Sequence, residues 1–406
     1  MDGKKIELKK KKKEKINPKF ISFGITLLLA VVLLILLYLY FYYYFFGGRI
    51  NTYVEKKEMI SILFIGLDDA DDHKKADTLL LGLYNPPTKR FGLVALPRDL
   101  KVEVEDRAGL KTMKINSLYS KYGSGKLLKI VRNLTGIDVK FHVAMEISAL
   151  VKIIDLIGGV ELYIDNEMKY VDKAANLFIE LPKGIIKCDG LKAMEFIRYR
   201  NDDRGDMGRI ERQYEFILNL LKKAVIQKDL LSNLQLIKIL YKNVDTNLNF
   251  KDIINLIRYS SHADFNNVDM IKVPGKFLNL YGTRYIEPDI TKSKRVISNF
   301  IKKMTYTISD IIPQEIKVQV LNGSGKGGVA KRIRDKLVRN GYNVVEFGNA
   351  ESQDYEEMLI LDRSGNMKKA LKVASLLKCK NVFPKINKFI LIDSTIIVGK
   401  DYKKYW

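Results

Sequence analysis

The feature that most constrains this 406-residue chain is a run without a single charge, FISFGITLLLAVVLLILLYLYFYYYFF, at positions 20–46. About 20 apolar residues span a bilayer, so this run is long enough to cross one with some tilt. A secretory signal has an apolar region of only about 7–15 residues, followed by a cleavage site of small residues. The run ends instead in tyrosines and phenylalanines, which are typical of the membrane interface. We therefore expect a transmembrane helix over 20–46 rather than a buried core helix.

The charge that precedes this segment predicts its orientation. Residues 1–19 carry nine lysines and three acids, and positive charge is retained on the cytoplasmic side. The N-terminus is therefore expected in the cytoplasm and the bulk of the chain outside it. Of the net charge of +23, +6 lies in 1–19, +9 in 47–313 and +8 in 314–406. A basic protein can bind nucleic acid, an anionic membrane or a polyanionic substrate. An extracytoplasmic location excludes nucleic acid and leaves anionic wall polymers and lipid phosphates.

Hydrophobic patterns predict a large domain of mixed strands and helices. Short apolar runs at 59–66, 78–84 and 91–96 are typical of buried strands in one sheet, and GGVELYI at 158–164 predicts another strand. Helical spacing occurs at 127–134, 146–156, 189–200 and 208–225. We expect 229–301 to be mostly amphipathic helix, with an irregular basic section at 273–294. This mixture indicates an α/β or α+β fold, with a mixed sheet and flanking helices.

The expected organisation has two folded domains outside the membrane. They are a mixed-sheet domain over 59–300 and a small αβ domain over 316–406. The remaining segments are a basic arm (1–19), the transmembrane helix (20–46) and linkers at 47–58 and 301–315. The only cysteines, Cys188 and Cys379, match no metal spacing, and we expect two unrelated thiols.

A G-x-G-x-x-G sequence in the C-terminal domain resembles a dinucleotide-binding fingerprint. Gly323, Gly325 and Gly328 follow a predicted strand, and Glu346 ends the next one. A domain of about 90 residues is small for that role, and the predicted location has no nicotinamide pool. We therefore expect the glycines of a tight turn.

Arginine is concentrated in FIRYRNDDRGDMGRIERQ at 196–213. The chain has 17 arginines against 53 lysines, yet five arginines fall within these eighteen residues. Arginine presents a planar fork that grips a phosphate or carboxylate through two hydrogen bonds, which lysine cannot do. The segment lies at the junction of two predicted helices and indicates an anion-binding site there.

Three further polar segments have a similar character. GLDDADDHKKADT at 66–78 has five acids between Asp68 and Asp77, and Mg²⁺ takes one or two carboxylates plus substrate phosphate. A solvated acidic turn is the alternative, and His73 is expected to be exposed. ALPRDLKVEV at 95–104 places Arg98 and Asp99 after a strand, where open α/β sheets bind ligands. KINSLY at 114–119 adds Lys114 and Asn116. Carboxylates and cationic forks without a nucleophile triad favour phosphoryl transfer.

Together these motifs resemble the LytR–CpsA–Psr family. The resemblance rests on GLD…ADT, LPRD, KIN-x-x-Y, LIGGVE, CDGLKAMEFIRYR and GDMGRIERQ, in this order over about 59–226. The terminal segment is similar to the LytR C-terminal domain. The resemblance implies a membrane-anchored extracytoplasmic enzyme that transfers glycopolymers, such as teichoic acids or capsules, from a polyprenyl pyrophosphate carrier to peptidoglycan. It also implies Mg²⁺ as the cofactor.

The resemblance assigns roles to individual residues. It implies that Asp68 and Asp77 hold the metal. The implied pyrophosphate-binding residues are Lys75, Arg98, Lys114, Asn116, Arg198, Arg200 and Gln213. The implied catalytic residues are Arg98, Asp99, Arg198, Arg200, Asp206 and Arg209. Either Asp99 or Asp206 would orient or deprotonate the acceptor hydroxyl, and the sequence does not choose between them. Arg204 and Arg212 are expected to make surface or structural pairs.

The chain departs from the family pattern, and two questions stay open at this point. Lys75-Ala76-Asp77 stands where the family usually has Arg-Ser-Asp, so a point charge replaces one fork. Apolar faces at 147–157 and 217–225 either line a slot for the isoprenoid or serve as ordinary core, which we favour. The alternative functions are a non-catalytic binding protein for wall polymer or lipid pyrophosphate, and a hydrolase of the same lipid-linked glycan. The paired carboxylates favour an enzyme over a binding protein.

Overall fold

The structure is a computed structural model that describes residues 33–37, 48–68, 75–107, 109–173, 177–199, 205–226, 242–260, 264–305, 311–387 and 390–405. The chain divides into two compact units, Met1–Gly48 and Arg49–Trp406. In the first unit residues 33–37 are helical, and the rest of the predicted membrane segment lies outside the described residues. Among the residues described, no helix is both long and apolar enough to cross a bilayer.

The second unit contains a six-stranded mixed sheet in the order β11-β6-β1-β2-β3-β12. Its strands are β1 (Ile60–Leu67), β2 (Ala76–Asn85), β3 (Arg90–Ala95), β6 (Phe141–Glu146), β11 (Val244–Thr246) and β12 (Asp264–Lys272). Neighbours β1 and β2, β2 and β3, and β6 and β11 pair antiparallel. Neighbours β1 and β6, and β3 and β12, pair parallel. The mixed α/β architecture and the three strands predicted between residues 59 and 96 are confirmed.

Seven helices accompany this sheet in the part of the domain that the structure describes. They are α1 (Arg49–Glu55), α2 (Leu118–Thr135), α3 (Ile147–Leu156), α4 (Gly190–Arg198), α5 (Gly205–Ile226), α6 (Phe250–Ser260) and α7 (Ile290–Thr305). Helices α2 and α7 bury Leu127, Val131 and Phe300 against the sheet residues Leu81 and Val94. Helices α3, α4 and α5 form a second core cluster. The predicted helix junction is confirmed, since α4 ends at Arg198 and α5 begins at Gly205.

The described residues of this domain also form four two-stranded antiparallel ladders. They are β4 (Lys101–Asp106) with β5 (Gly109–Lys114), β7 (Val160–Ile164) with β10 (Gly184–Cys188), β8 (Met168–Asp172) with β9 (Leu177–Leu181), and β13 (Gly275–Leu280) with β14 (Thr283–Pro288). The expectation that 229–301 is mostly helical is wrong, because β12, β13 and β14 occupy most of 264–288. The turn between β13 and β14 has positive φ at both Tyr281 and Gly282, which matches the twist of a two-residue hairpin. The hairpin is also held by the distant hydrogen bond from Ile286 N–H to the Asp99 carbonyl (2.8 Å).

Gly190 sets the position of α4, the helix that carries Arg198. Asp189 caps α4 by accepting a hydrogen bond from Lys192 N–H at 2.9 Å, and Gly190 N–H donates to Asp155 Oδ1 at 2.7 Å. A Cβ on Gly190 would lie 2.4 Å from the backbone oxygen of Val151 in α3. The absence of a side chain therefore allows α3 and α4 to pack at backbone contact.

We expect Gly190→Ala to lower the free energy of unfolding by about 1–3 kcal/mol, because one backbone must shift away from the other. Gly125→Ala is the matched control, since a Cβ on Gly125 in α2 would meet nothing within 4 Å. That substitution should stabilise the helix by up to about 1 kcal/mol. Urea unfolding of the purified protein measures both values, and equal values for the two variants would contradict the close approach.

The C-terminal domain has a five-stranded sheet in the order β16-β15-β19-β17-β18. Its elements are β15 (Lys317–Asn322), α8 (Val329–Arg339), β16 (Asn343–Asn349), β17 (Leu359–Asp362), α9 (Met367–Leu377), β18 (Val382–Pro384) and β19 (Ser394–Val398). Gly325 and Gly328 have φ of 72° and 79°, as expected for a tight turn. Cys188 and Cys379 are free and buried, and burial raises the pKa of both thiols.

Asp362, at the end of β17, is fully buried, and burial raises its pKa to about 6 from an ordinary 3.8. Its Oδ1 accepts hydrogen bonds from Ser364 and Gly365, whereas Oδ2 has no hydrogen-bond partner among the described residues. A raised pKa means that the folded state favours the protonated form. This contribution to stability is complete below about pH 4 and is lost as the pH rises through 6.

We expect Asp362→Asn to remove that decline, which amounts to about 3 kcal/mol. The readout is the difference in free energy of unfolding between variant and native protein, followed from pH 4 to pH 7. The slope of this difference matters rather than its absolute value, because the new amide N–H₂ also lacks a partner. Parallel pH profiles for the two proteins would rule out Asp362 as the titrating group.

Candidate active site

Seven polar side chains line one cavity of about 260 Å³ at the ends of β1, β3 and β5 and the start of β2. They are Asp68, Lys75, Asp77, Arg98, Asp99, Lys114 and Asn116, here called the polar cleft. Because β1 and β2 are antiparallel, the end of one strand lies beside the start of the other. All seven residues were singled out from the sequence, and the structure brings them together.

A β-bulge in β2 directs Asp77 toward the cleft. Gly66 pairs with Thr78 and Leu67 pairs with Ala76, so Asp77 is the extra residue on its strand. Bulges of this kind re-aim side chains and are frequent beside active sites. The pairing continues beyond the bulge, where Asp68 N–H donates to the Lys75 carbonyl at 3.0 Å. Asp77 and Thr78 are consequently both half-buried at the cleft.

Backbone hydrogen bonds fix the loop that carries Arg98 and Asp99. Leu100 N–H donates to the Pro97 carbonyl at 3.1 Å and closes the turn. Asn116 N–H then donates to the Arg98 carbonyl at 3.2 Å, and Ile115 N–H donates to the Leu100 carbonyl at 2.9 Å. These bonds hold Lys114 and Asn116 beside the loop, so two segments that are separate in sequence form one wall.

Three carboxylates of the site each lie beside a cation. Arg98 Nη1 is 2.6 Å from Asp77 Oδ2, Lys114 Nζ is 2.7 Å from Asp99 Oδ1, and Arg198 Nη2 is 3.1 Å from Asp68 Oδ1. Lys75 is a further cation of the cleft, so the described residues that line it have three positive and three negative charges. In addition, Arg98 Nε is buried and has no hydrogen-bond partner in the described part of the chain. An anion that enters the cleft therefore meets three cationic side chains, and Arg98 Nε, which lies 4.0 Å from Asp99 Oδ2, can donate a hydrogen bond to it.

Helix α5 is tied to its surroundings by four consecutive residues. Arg212 Nη2 donates to the Tyr199 carbonyl, next to Arg198. Gln213 Nε2 lies 3.5 Å from Thr78 Oγ1, next to Asp77. Tyr214 Oη donates to the Val268 carbonyl at 2.6 Å, and Glu215 reaches Lys385 of the C-terminal domain. Two of these contacts link α5 to residues that adjoin the polar cleft.

The remaining predicted residues divide by what the structure describes. Arg200, Arg204 and His73 lie outside the described residues. Asp206 and Arg209 are in the first turns of α5, but their side chains are outside the description. Arg212 is only 2% exposed and bonds backbone, in keeping with the structural role expected of it. Sequence reasoning missed Thr78 as the partner of Gln213, although it stands in the ADT motif, and missed Lys385 altogether.

The donor set fits a metal that arrives with its substrate. No group of three or more His, Cys, Asp or Glu side chains able to hold a metal occurs among the residues described. Asp68 and Asp77 supply two carboxylates, each already beside an arginine. Mg²⁺ commonly takes one or two carboxylates together with substrate phosphates and waters. These residues therefore fit Mg²⁺ bound to a diphosphate better than a closed site built from protein alone.

Comparison with known proteins identifies the family. The model of the LytR_cpsA_psr family matches residues 5–302, and the model described as LytR cell envelope-related transcriptional attenuator matches residues 315–402. The first match covers well over half of the chain. The protein belongs to the LytR–CpsA–Psr family.

Similar proteins include two curated transferases and a solved structure. The chain is 27% identical over 262 residues to the polyisoprenyl-teichoic acid–peptidoglycan teichoic acid transferase TagV of Bacillus subtilis, which covers 62% of this chain and 66% of TagV. It is 30% identical over 224 residues to the Bacillus cereus transferase TagU, which covers 55% and 71%. Protein gbs0355 of Streptococcus agalactiae has the same fold, with a TM-score of 0.56 at 22% identity over 65% of this chain and 93% of that one.

Proposed function

We propose that this protein is a membrane-anchored extracytoplasmic transferase that moves an anionic glycopolymer from a polyprenyl pyrophosphate carrier to peptidoglycan. The observation that carries the proposal is the polar cleft, where three cationic side chains, three aspartates and an asparagine line one cavity. Relatives that share the family are named teichoic acid–peptidoglycan transferases. A teichoic acid or a similar phosphate-containing polymer is therefore the proposed donor, and peptidoglycan the proposed acceptor.

The chemistry replaces the phosphoanhydride bond of the carrier by a phosphodiester bond to the acceptor. The acceptor hydroxyl attacks the phosphorus that bears the glycan, the bond from that phosphorus to the bridging oxygen breaks, and polyprenyl monophosphate leaves. Arg98 and Arg198 grip the diphosphate and stabilise the charge that develops on its oxygens, with Lys75 and Lys114 as point charges. Arg200, Asn116 and Gln213 complete the proposed contacts. Asp99 or Asp206 accepts the proton of the attacking hydroxyl. Arg209 follows Asp206 by three positions in the same sequence motif.

Mg²⁺ is the proposed cofactor, held by Asp68 and Asp77 together with the diphosphate. When bound, it would neutralise charge on the diphosphate oxygens and help to align the leaving group. Asp68 and Asp77 would hold the metal, and their partners Arg198 and Arg98 would then be available to the substrate. The ion pairs thus keep the two arginines beside the proposed metal ligands.

The isoprenoid of the carrier needs an apolar surface near the cleft. Helices α3 and α5 contribute Leu150, Val151, Ile217 and Leu220, which are only partly buried beside a fully buried cluster. Ile154 and Phe216 of the same helices are core residues. We propose that the partly buried set contacts the first isoprene units, while the buried set holds the two helices together.

The test is an assay with purified protein, a polyprenyl-pyrophosphoryl glycan and peptidoglycan fragments. Polyprenyl monophosphate and glycan-bearing peptidoglycan should form in equal amounts, and only with Mg²⁺. Release of the lipid phosphate without transfer would replace the proposal with a hydrolase. Tight lipid binding without any turnover would leave a non-catalytic binding protein. Protease accessibility of residues 49–406 on intact cells tests the location.

A further inference from the structure

The C-terminal domain contacts the helix that carries part of the proposed active site. Lys385 follows β18, is only 3% exposed, and extends its Nζ to 3.5 Å from Glu215 Oε2 in α5. Glu215 is also 3% exposed. The same Nζ lies 3.2 Å from Asp165 Oδ1, just after β7. One lysine of the C-terminal domain is thus buried between two acids of the catalytic domain.

Apolar contacts surround this charge cluster on both sides. Ile386 packs in one cluster with Tyr214 and Leu218 of α5. On the other side, Tyr163 of β7 packs with Phe383 of β18. The Tyr163 hydroxyl lies 3.3 Å from the hydroxyl of Tyr355. The contact surface excludes water around Lys385, so loss of Lys385 would remove the cation that faces the buried carboxylate of Glu215.

A buried ion pair of this kind contributes more to a defined geometry than to stability. Taking two charges out of water costs about as much as their attraction returns, so an apolar pair of similar volume would hold the domains at least as well. An ion pair, however, accepts only one alignment of the two surfaces. This argues that Lys385 and Glu215 define where α5 sits relative to the C-terminal domain.

Glu215 lies within one helical turn of the two residues of α5 that contact neighbours of the polar cleft. Glu215 is two residues from Gln213, which reaches Thr78 beside Asp77, and three from Arg212, which bonds Tyr199 beside Arg198. A helix moves as a rigid rod over so short a distance, so a shift at Glu215 is transmitted to Gln213 and to the preceding turns. Building on the proposed function, we propose that Lys385 is a positioning residue of the transfer reaction, through which the C-terminal domain holds α5 in register with the polar cleft.

The test compares Lys385→Met with Lys380→Met in the full-length protein. Lys380 is exposed in the same domain, so its substitution removes the same charge without touching α5. Lys385→Met should lower kcat by about 10–100-fold, since small misplacements of catalytic groups cost factors of this size. Hydrogen exchange of the α5 backbone amides should also become faster. Lys380→Met should change neither quantity.

A double variant separates positioning from simple loss of structure. Lys385→Met combined with Glu215→Leu removes both buried charges and should recover the native free energy of unfolding, whereas kcat should stay lowered, because no ion pair aligns α5. Recovery of kcat together with stability would show that Lys385 acts through stability alone and would overturn the inference. If Lys385→Met does not fold, Glu215→Gln replaces it in the comparison, because Lys385 then keeps the half-exposed Asp165 as its partner. Unchanged kcat and unchanged α5 exchange in a folded variant would overturn the inference.

The exchange measurement also distinguishes this inference from the proposed function. If the native protein transfers no glycan, the proposed function fails while the positioning of α5 is still decided. Faster exchange of α5 in Lys385→Met than in Lys380→Met then supports the docking role. Equal exchange in the two variants overturns it.

Discussion

Replacing Arg98 by alanine is expected to lower the rate of glycopolymer transfer by about 10²–10³-fold, the usual loss when one preorganised transition-state donor is removed. Arg98 pairs with Asp77 and has a buried Nε without a hydrogen-bond partner in the described cleft. Arg98 therefore has a donor that can bind a phosphate oxygen. Product formation under saturating donor and Mg²⁺ measures the effect.

Two further variants separate the geometry of Arg98 from its charge and from general damage. Arg98→Lys retains the positive charge and loses the planar fork, so it should recover only part of the rate. Arg295→Ala removes an exposed arginine of α7 and should leave the rate unchanged. Asp77 is 26% exposed in the native pair and can be hydrated when Arg98 is absent, so the fold should survive. Near-native turnover by Arg98→Ala would remove Arg98 from the proposed chemistry.

The polar cleft was predictable because its residues are encoded locally. Asp68, Asp77 and Arg98 each stand at the end or start of a buried strand, and the hydrophobic runs that define those strands are strong signals. Once the strands share a sheet, the polar residues at their ends have to converge. The bulge at Asp77 was not predictable, because a register shift depends on the pairing of β1 with β2 rather than on either strand alone.

Features that depend on contacts between residues far apart in the chain could not be predicted from the sequence. The hairpin of β13 and β14 has Tyr281-Gly282 at its turn instead of the usual Asn-Gly or Asp-Gly. Its hydrogen bond from Ile286 to Asp99 joins residues that are far apart in the sequence. The pair of Lys385 with Glu215 joins residues 170 positions apart. No local pattern distinguishes such a lysine from the many exposed lysines of this chain, since only the fold removes it from water.

Replacing Asp77 by asparagine is expected to raise the Mg²⁺ concentration required for half-maximal transfer by at least about tenfold, and to lower the maximal rate as well. With Asp68 it makes up the proposed carboxylate pair, and loss of one anionic ligand weakens the binding of a hard cation such as Mg²⁺. Activity of the native protein should disappear with a chelator and return when Mg²⁺ is added. A titration of Mg²⁺ against initial rate compares the two proteins directly.

Asparagine is the informative substitution because Asp77 has two separable tasks. Its amide oxygen still accepts a hydrogen bond from Arg98 Nη1, so the orientation of Arg98 is retained while the negative charge is lost. If the half-saturating Mg²⁺ stays native and only the maximal rate falls, Asp77 serves to orient Arg98 and is not a metal ligand. The second outcome is that Asp77→Asn requires more Mg²⁺, while adding Arg98→Lys lowers its rate by the same factor as in the native protein. In that case the Asp77 carboxylate binds the metal. The first outcome assigns the ion pair of Arg98 and Asp77 to substrate binding, and the second assigns its carboxylate to metal binding.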